Sequence, residues 1–169
     1  MDAQKGKKKG ESGNEYFLVE GVVYEIDPLE ETEGKASEVQ LVVYQEKEIY
    51  VAFYTAKTGA YNFYLPVGHD YLIWYGGSSY VNKKVEIEGT KFPTSEKPQK
   101  VQMDIALFRP IEGYEFPMLD EPFVKVVYHT DDELIGPDMK YTDERVDLLG
   151  KQVKKIQKEV EKKKKQEKS

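Results

Sequence analysis

The stretch EIYVAFYTAKTGAYNFYLPVGHDYLIWY, residues 48–75, decides the fold class. Ile49, Val51 and Phe53 fall on one face of its first segment, Tyr61, Phe63 and Leu65 on one face of its second. A period of two is the signature of an extended strand, whose side chains alternate across a sheet. Lys57-Thr58-Gly59 and Pro66-Val67-Gly68 punctuate the segments, and Gly59 supplies the positive φ that a tight turn demands. Asp70–Tyr75 then resumes the pattern, with Leu72 and Trp74 opposing Tyr71, Ile73 and Tyr75.

Working outward, the same grammar continues. Residues 16–24 are rich in β-branched and aromatic residues, and 38–45 alternate with Val39, Leu41 and Val43 on one face. Residues 80–88 carry Val81, Val85 and Ile87, and 101–108 carry Val101, Met103, Ile105 and Leu107. Polar residues 28–36 and 93–100 read as loops. Seven short strands with turn signals between them predict an all-β, seven-stranded antiparallel sandwich over 16–108. Residues 109–142 read as a Pro-interrupted extension wrapping the sheet, with an extra strand over 123–128. Gly136-Pro137-Asp138 reads as a turn and Thr142 as a helix N-cap, opening an amphipathic, Lys-rich helix and tail over 143–169.

Composition narrows the chemistry. The chain of 169 residues has 13 Tyr, 7 Phe and 1 Trp, too many rings for a disordered polymer, and no Cys. Disulfides, thiolate metal sites and cysteine nucleophiles are therefore excluded. The two histidines, His69 and His129, lie in no metal-binding spacing, and no cofactor is expected. Ser78 and Ser79 sit in a Gly-rich loop without a nucleophile elbow. The acidic runs Asp27, Glu30, Glu31 and Asp131, Asp132, Glu133 lack calcium-loop spacing and read as solvated loops. The expectation is a non-enzyme, with no catalytic residue and no metal.

Charge is unevenly spread. Residues 1–9 carry four Lys and one Asp, and residues 151–169 nine Lys and three Glu. The remaining 10–150 hold 12 basic and 27 acidic residues, a net of −15. Such a body repels phosphate, so nucleic acid is not an expected partner. Residues 1–15 read as a disordered basic segment. No apolar run reaches the roughly 20 residues of a membrane-spanning helix. Ala3-Gln4 before a Lys/Gly/Ser-rich stretch reads as the start of an exported protein whose signal peptide has been removed. The expected location is periplasmic, at the outer membrane, cell-surface or secreted, with a cytoplasmic chain as the alternative.

The run Thr55-Ala56-Lys57-Thr58-Gly59-Ala60-Tyr61-Asn62-Phe63-Tyr64-Leu65-Pro66-Val67-Gly68-His69-Asp70-Tyr71 resembles the T-D-x-x-G-x-F-x-F-x-L-P-x-G-x-x-Y signature of carboxypeptidase regulatory-like domains. Gly21-Val22-Val23-Tyr24, the strand 36–44, and Tyr80 with Val85 and Ile87 match the flanking stretches, so the resemblance spans residues 16–108. Ala56 stands where the family has Asp, and Gly77-Ser78-Ser79-Tyr80 replaces its Gly-Tyr pair. The resemblance implies a transthyretin-like (prealbumin-type) sandwich and a non-catalytic module of exported or surface proteins.

Two sets of residues read as binding surfaces. Tyr50, Tyr54, Tyr64 and Trp74 fall opposite the core-facing residues, giving rings on both faces of the sheet. The C-terminal extension is the expected cover for these rings; an exposed glycan-stacking platform is the alternative. On the helix, Val146, Leu149, Val153, Ile156 and Val160 recur at spacings of 3, 4, 3 and 4, a narrow apolar stripe. It is expected to dock in the groove of a protein partner of a secretion, motility or adhesion assembly, with the acidic body and a second copy as the other surfaces it could meet.

Overall fold

In the computed structural model, which describes residues 15–36 and 38–168, the chain runs through eleven strands and one helix. These are β1 (Tyr16–Asp27), β2 (Thr32–Lys35), β3 (Gln40–Gln45), β4 (Glu48–Tyr54), β5 (Ala60–Pro66) and β6 (Tyr71–Gly76). They continue as β7 (Lys83–Ile87), β8 (Gln99–Gln102), β9 (Ile105–Leu107), β10 (Val124–His129), β11 (Leu134–Pro137) and α1 (Met139–Glu167). The segment expected to be disordered, 1–15, lies outside the described residues except for Glu15.

β1 organises the first sheet because it is long enough to serve several neighbours. Tyr16–Val22 pair antiparallel with β5, and Tyr24–Asp27 pair antiparallel with β2. β8 and β9 run parallel to β1 in one continuous register, Phe17 opposite Gln99 and Val23 opposite Ile105. The single strand expected over 101–108 is broken between them by Asp104. Its carboxylate accepts the Val22 N–H at 2.9 Å, taking the place of a backbone acceptor, while the Met103 N–H donates to the Glu20 carbonyl at 2.8 Å. Gly21 faces this break, where a Cβ would lie 1.8 Å from the Met103 carbonyl oxygen.

The second sheet has the order β11-β10-β7-β6-β3-β4, antiparallel throughout except between β10 and β7. The two sheets share one core. Phe17 and Val19 of β1 and Phe63 and Leu65 of β5 meet Leu41, Phe53 and Ile73 of the second sheet, all buried. Ring pairs span both layers: Phe17 with Tyr71 at 5.9 Å, Phe53 with Phe63 at 5.3 Å and Tyr61 with Tyr75 at 5.6 Å. The buried phenols are satisfied, Tyr75 donating to the Tyr61 hydroxyl at 3.0 Å and Tyr61 donating to the Met103 carbonyl. Burial pushes the pKa of both upward, so both stay protonated.

The all-β layered core matches expectation, but strand number and direction do not: the sheets are mixed and hold eleven strands. β2 was hidden because its residues, Thr-Glu-Gly-Lys, are exposed and polar on both faces. The parallel pairings arise where β8 and β9 return alongside β1 and the extension contributes β10 beside β7.

The C-terminal region builds a second, smaller core. Phe108, Phe116, Leu119, Leu149 and Ile156 are buried together, with Val153 and Val160 packed against them. Asp138, not Thr142, is the N-cap of α1, accepting the Tyr141 N–H at 3.2 Å in extended geometry. The helix therefore starts immediately after β11, without the turn expected at 136–138, and Thr142 lies in its first turns. Tyr141 ties this end to the Pro122 carbonyl, Tyr114 donates to Glu159 at 2.6 Å, and Gln157 donates to the Pro28 carbonyl. Lys83 lies between the two cores, 5% exposed, its ammonium 4.4 Å from the Phe123 ring centre and 6.0 Å from that of Phe108.

Candidate functional site

The four aromatic residues singled out by alternation do not share one surface. The β3–β4 hairpin carries a bulge: Val43 pairs with Val51, but Tyr44 pairs with Ile49, leaving Tyr50 as the extra residue. Beyond the bulge the alternation inverts. Ile49, expected inside, is 60% exposed, and Tyr50, expected outside, packs on the core with its ring 6.4 Å from Tyr71. Tyr64 lies on β5 of the first sheet, whereas Trp74 lies on β6 of the second. Only Tyr54, 53% exposed, and Trp74 share the outer face of the second sheet.

That face nonetheless carries an aromatic site, centred on a residue that alternation did not single out. Tyr44 is opposite Leu72, and Val42 is opposite Trp74, so Tyr44 and Trp74 are diagonal neighbours. Their ring centres are 6.0 Å apart at 54°. They line an open cavity of about 510 Å³ with Leu72, Asp70, Glu46 and Glu86. The Asp70 Oδ1 is fixed by the backbone N–H and hydroxyl of Thr90, at 3.1 and 2.8 Å. Glu46 faces His69 at 3.6 Å, and Glu86 faces Lys125 at 3.9 Å. The Lys84 ammonium lies 4.3 Å from the Trp74 ring centre while donating to the Asp120 carbonyl at 2.8 Å. The Trp74 indole N–H is buried without a hydrogen-bond partner. The extension, expected to cover this face, reaches it in part: residues from 114–120 line an opening beside Trp74 and Pro122 borders the cavity, while Phe116 and Leu119 pack with α1 and Val124 and Val126 join the main core.

The helix stripe is divided. Leu149 and Ile156 are buried in the chain's own second core, and Val153 and Val160 pack on it. The stripe meets the body of its own chain, so Ile156, fully buried, is not open to a foreign groove, and Val160 is partly covered. Val146 stays 51% exposed. With Leu149 and Val153 it lines a different opening, a groove of about 460 Å³ between α1 and the β1–β2 hairpin. The floor is completed by Ile26 and Phe123, and the hairpin side of the rim carries Asp27, Glu31 and Glu33. The Asp27 Oδ1 accepts the N–H groups of Leu29 and Glu30, shaping the turn. Glu31 and Glu33 have no cationic partner within 4.0 Å among the described residues. Sequence periodicity finds the helix half of this groove; the hairpin half depends on β2, which gives no periodic signal.

Among the described residues no three His, Asp or Glu side chains converge as metal ligands, and no helix is long and apolar enough to cross a membrane. His129 Nε2 lies 2.9 Å from the Pro137 carbonyl.

No protein-family profile matches the chain, and comparison with curated proteins returns no match. Solved structures give partial likenesses. A region of the TIE protein of Bacillus anthracis is similar at 17% identity and a TM-score of 0.40, over 55% of this chain and 17% of that one. Catechol 1,2-dioxygenase from Pseudomonas arvilla C-1 is similar at 6% identity and a TM-score of 0.43, over 66% of this chain and 56% of that one. The enzyme of the same name from Acinetobacter sp. ADP1 gives 8% and 0.38, over 66% and 57%. The chain thus spans less than two thirds of each of these proteins. Likenesses of this degree carry no conclusion about activity, ligand or partner. What the chain itself presents is a mostly β, two-sheet architecture with a C-terminal helix and, among its openings, the aromatic cavity and the helix–hairpin groove.

Proposed function

We propose that the chain is a non-catalytic protein-binding module of the carboxypeptidase regulatory-like type, acting in an exported cell-envelope or surface assembly. The docking surface is the groove between α1 and the β1–β2 hairpin. The observation that carries this reading is the half-exposed Val146 above a floor of Ile26, Phe123, Leu149 and Val153. A soluble chain that completes its core leaves such an apolar groove open only at some cost, and grooves of this kind accept amphipathic segments. The acidic rim of Asp27, Glu31 and Glu33 selects a basic segment through charge complementarity. The partner is therefore a protein presenting apolar anchors at i, i+3 or i+4, and i+7, flanked by Lys or Arg.

The sequence signature over 55–71 supports the family, and the family supports export. Fractionation of cells expressing the full reading frame tests location: recovery with the cytosol contradicts it.

For the groove, the test is fluorescence anisotropy with two designed amphipathic peptides that share Leu anchors and differ only in Lys or Glu flanks. The Lys-flanked peptide should bind, with affinity falling as salt rises. Val146→Lys and the pair Glu31→Lys with Glu33→Lys should each weaken it at least tenfold without changing the melting temperature. Equal affinity for both peptides, or none for either, contradicts the reading.

A further inference from the structure

We infer that the Tyr44–Trp74 cavity is a second, separate binding site, built for a neutral carbohydrate. Its volume, about 510 Å³, lies in the range of roughly 300–1,000 Å³ typical of small-ligand sites. Its two rings are held on adjacent strands of one sheet, so their angle of 54° is fixed by the backbone ladder and not by mobile loops. An apolar ring face placed beside hydrogen-bonding groups suits a ligand that is itself two-sided, with C–H groups on one side and hydroxyls on its edge.

The polar wall decides between ligand classes. Glu46, Asp70 and Glu86 come from the β3–β4 turn, the residue before β6, and β7. Asp70 is held through one oxygen by two hydrogen bonds from Thr90, while Glu46 lies 3.6 Å from His69 and Glu86 3.9 Å from Lys125. The other oxygen of each has no partner among the described residues and can accept from a hydroxyl. Three carboxylates repel an anionic ligand. An apolar ligand would strip them of water without replacing its hydrogen bonds. A cationic ligand meets Lys47 on the same wall, Lys84 stacked on the indole, and Lys125 beside Glu86. A hydroxyl-rich, uncharged ring satisfies all of these groups.

Trp74 is the single tryptophan of the chain, so its intrinsic fluorescence reports on this site alone. The experiment titrates the full chain with neutral hexasaccharides based on glucose, xylose, mannose and N-acetylglucosamine, with oligogalacturonate as the anionic control. The expected result is a saturable fluorescence change with at least one neutral oligosaccharide and none with oligogalacturonate. Tyr44→Ala and Glu86→Gln should each weaken that titration at least tenfold while leaving the melting temperature within about 2 °C. Val146→Lys, in the separate groove, should leave it unchanged. Silence towards every neutral oligosaccharide at millimolar concentration overturns the inference. So does an equal response to oligogalacturonate, or a response that survives Tyr44→Ala and Glu86→Gln intact.

Discussion

The larger core is filled by alternate residues of paired strands, such as Phe17 and Val19 of β1 and Phe63 and Leu65 of β5. The smaller core collects Phe108, Phe116 and Leu119 from an irregular segment and Leu149 and Ile156 from a helix. In the first, backbone ladders position most of the side chains. In the second, packing itself must hold the extension and the helix in place, because no ladder joins α1 to the sheets. Damage should therefore spread through the first core and stay local in the second. The two proposed sites follow the same division: the aromatic cavity sits on paired strands, and the groove proposed for docking borders the element held by packing.

Phe63→Ala should show the largest effect, about 3–5 kcal/mol, because it removes a fully buried ring that meets Phe53 edge-on and packs against Tyr61. Denaturant unfolding should remain one cooperative transition with a lower midpoint. Two resolved transitions would mean the layers are less coupled than the shared core implies.

Ile156→Ala should remove about 2–4 kcal/mol from the smaller core. Hydrogen exchange should then lose protection along α1 and residues 108–123 while β1, β3, β5 and β6 keep theirs. Uniform loss across the strands would erase the distinction between the cores.

Gly59→Val probes the ladder itself. Gly59 has φ +88°, and a Cβ would lie 2.1 Å from the Val23 carbonyl oxygen. The loss should be on the order of 1–3 kcal/mol, read as a lower melting temperature. An unchanged melting temperature would mean that the turn relaxes freely.

Lys83 gives a smaller effect of opposite sign. Burial lowers its pKa from 10.5 to about 8. The folded value lies below the unfolded one, so between pH 8 and 10.5 the unfolded chain holds a proton the folded chain has released. Stability from this residue therefore climbs with pH across that window. Burial raises the pKa of Tyr61 and Tyr71, whose contribution falls away above about pH 10, so the clean interval is pH 8–10. Lys83→Met should stabilise the chain by about 1–2 kcal/mol at pH 7 and flatten this slope. Parent and variant with parallel pH profiles would contradict the burial of the charge between the two cores.

How much was legible in the sequence follows from the same contrast. Strict alternation placed Phe53, Phe63, Leu65, Ile73 and Tyr75 inside, and each is buried. Alternation failed at Ile49 and Tyr50, because one extra residue in β4 inverts the faces and leaves no mark in the hydrophobic pattern. It also missed Tyr44, whose role depends on Leu72 and Trp74 from a strand nearly 30 residues away. β2 is polar on both faces, so it gave no signal, and although Asp27 and Glu31 stood out as an acidic run, their placement beside α1 did not. The helix stripe was visible in the spacing of Val146, Leu149, Val153, Ile156 and Val160, but its partner was not. Phe116 and Leu119 belong to a Pro-interrupted segment with no period, and only the folded chain brings them to Leu149 and Ile156.

The most direct test of the proposed function is amide chemical-shift mapping of the ¹⁵N-labelled chain with the Lys-flanked amphipathic peptide. The largest shifts should cluster at Ile26, Glu31, Glu33, Val146, Leu149 and Val153, with Tyr44 and Trp74 unmoved. Shifts confined to the outer face of β3, β4 and β6, or no shifts at saturating peptide, would contradict the assignment of the helix–hairpin groove as the docking surface.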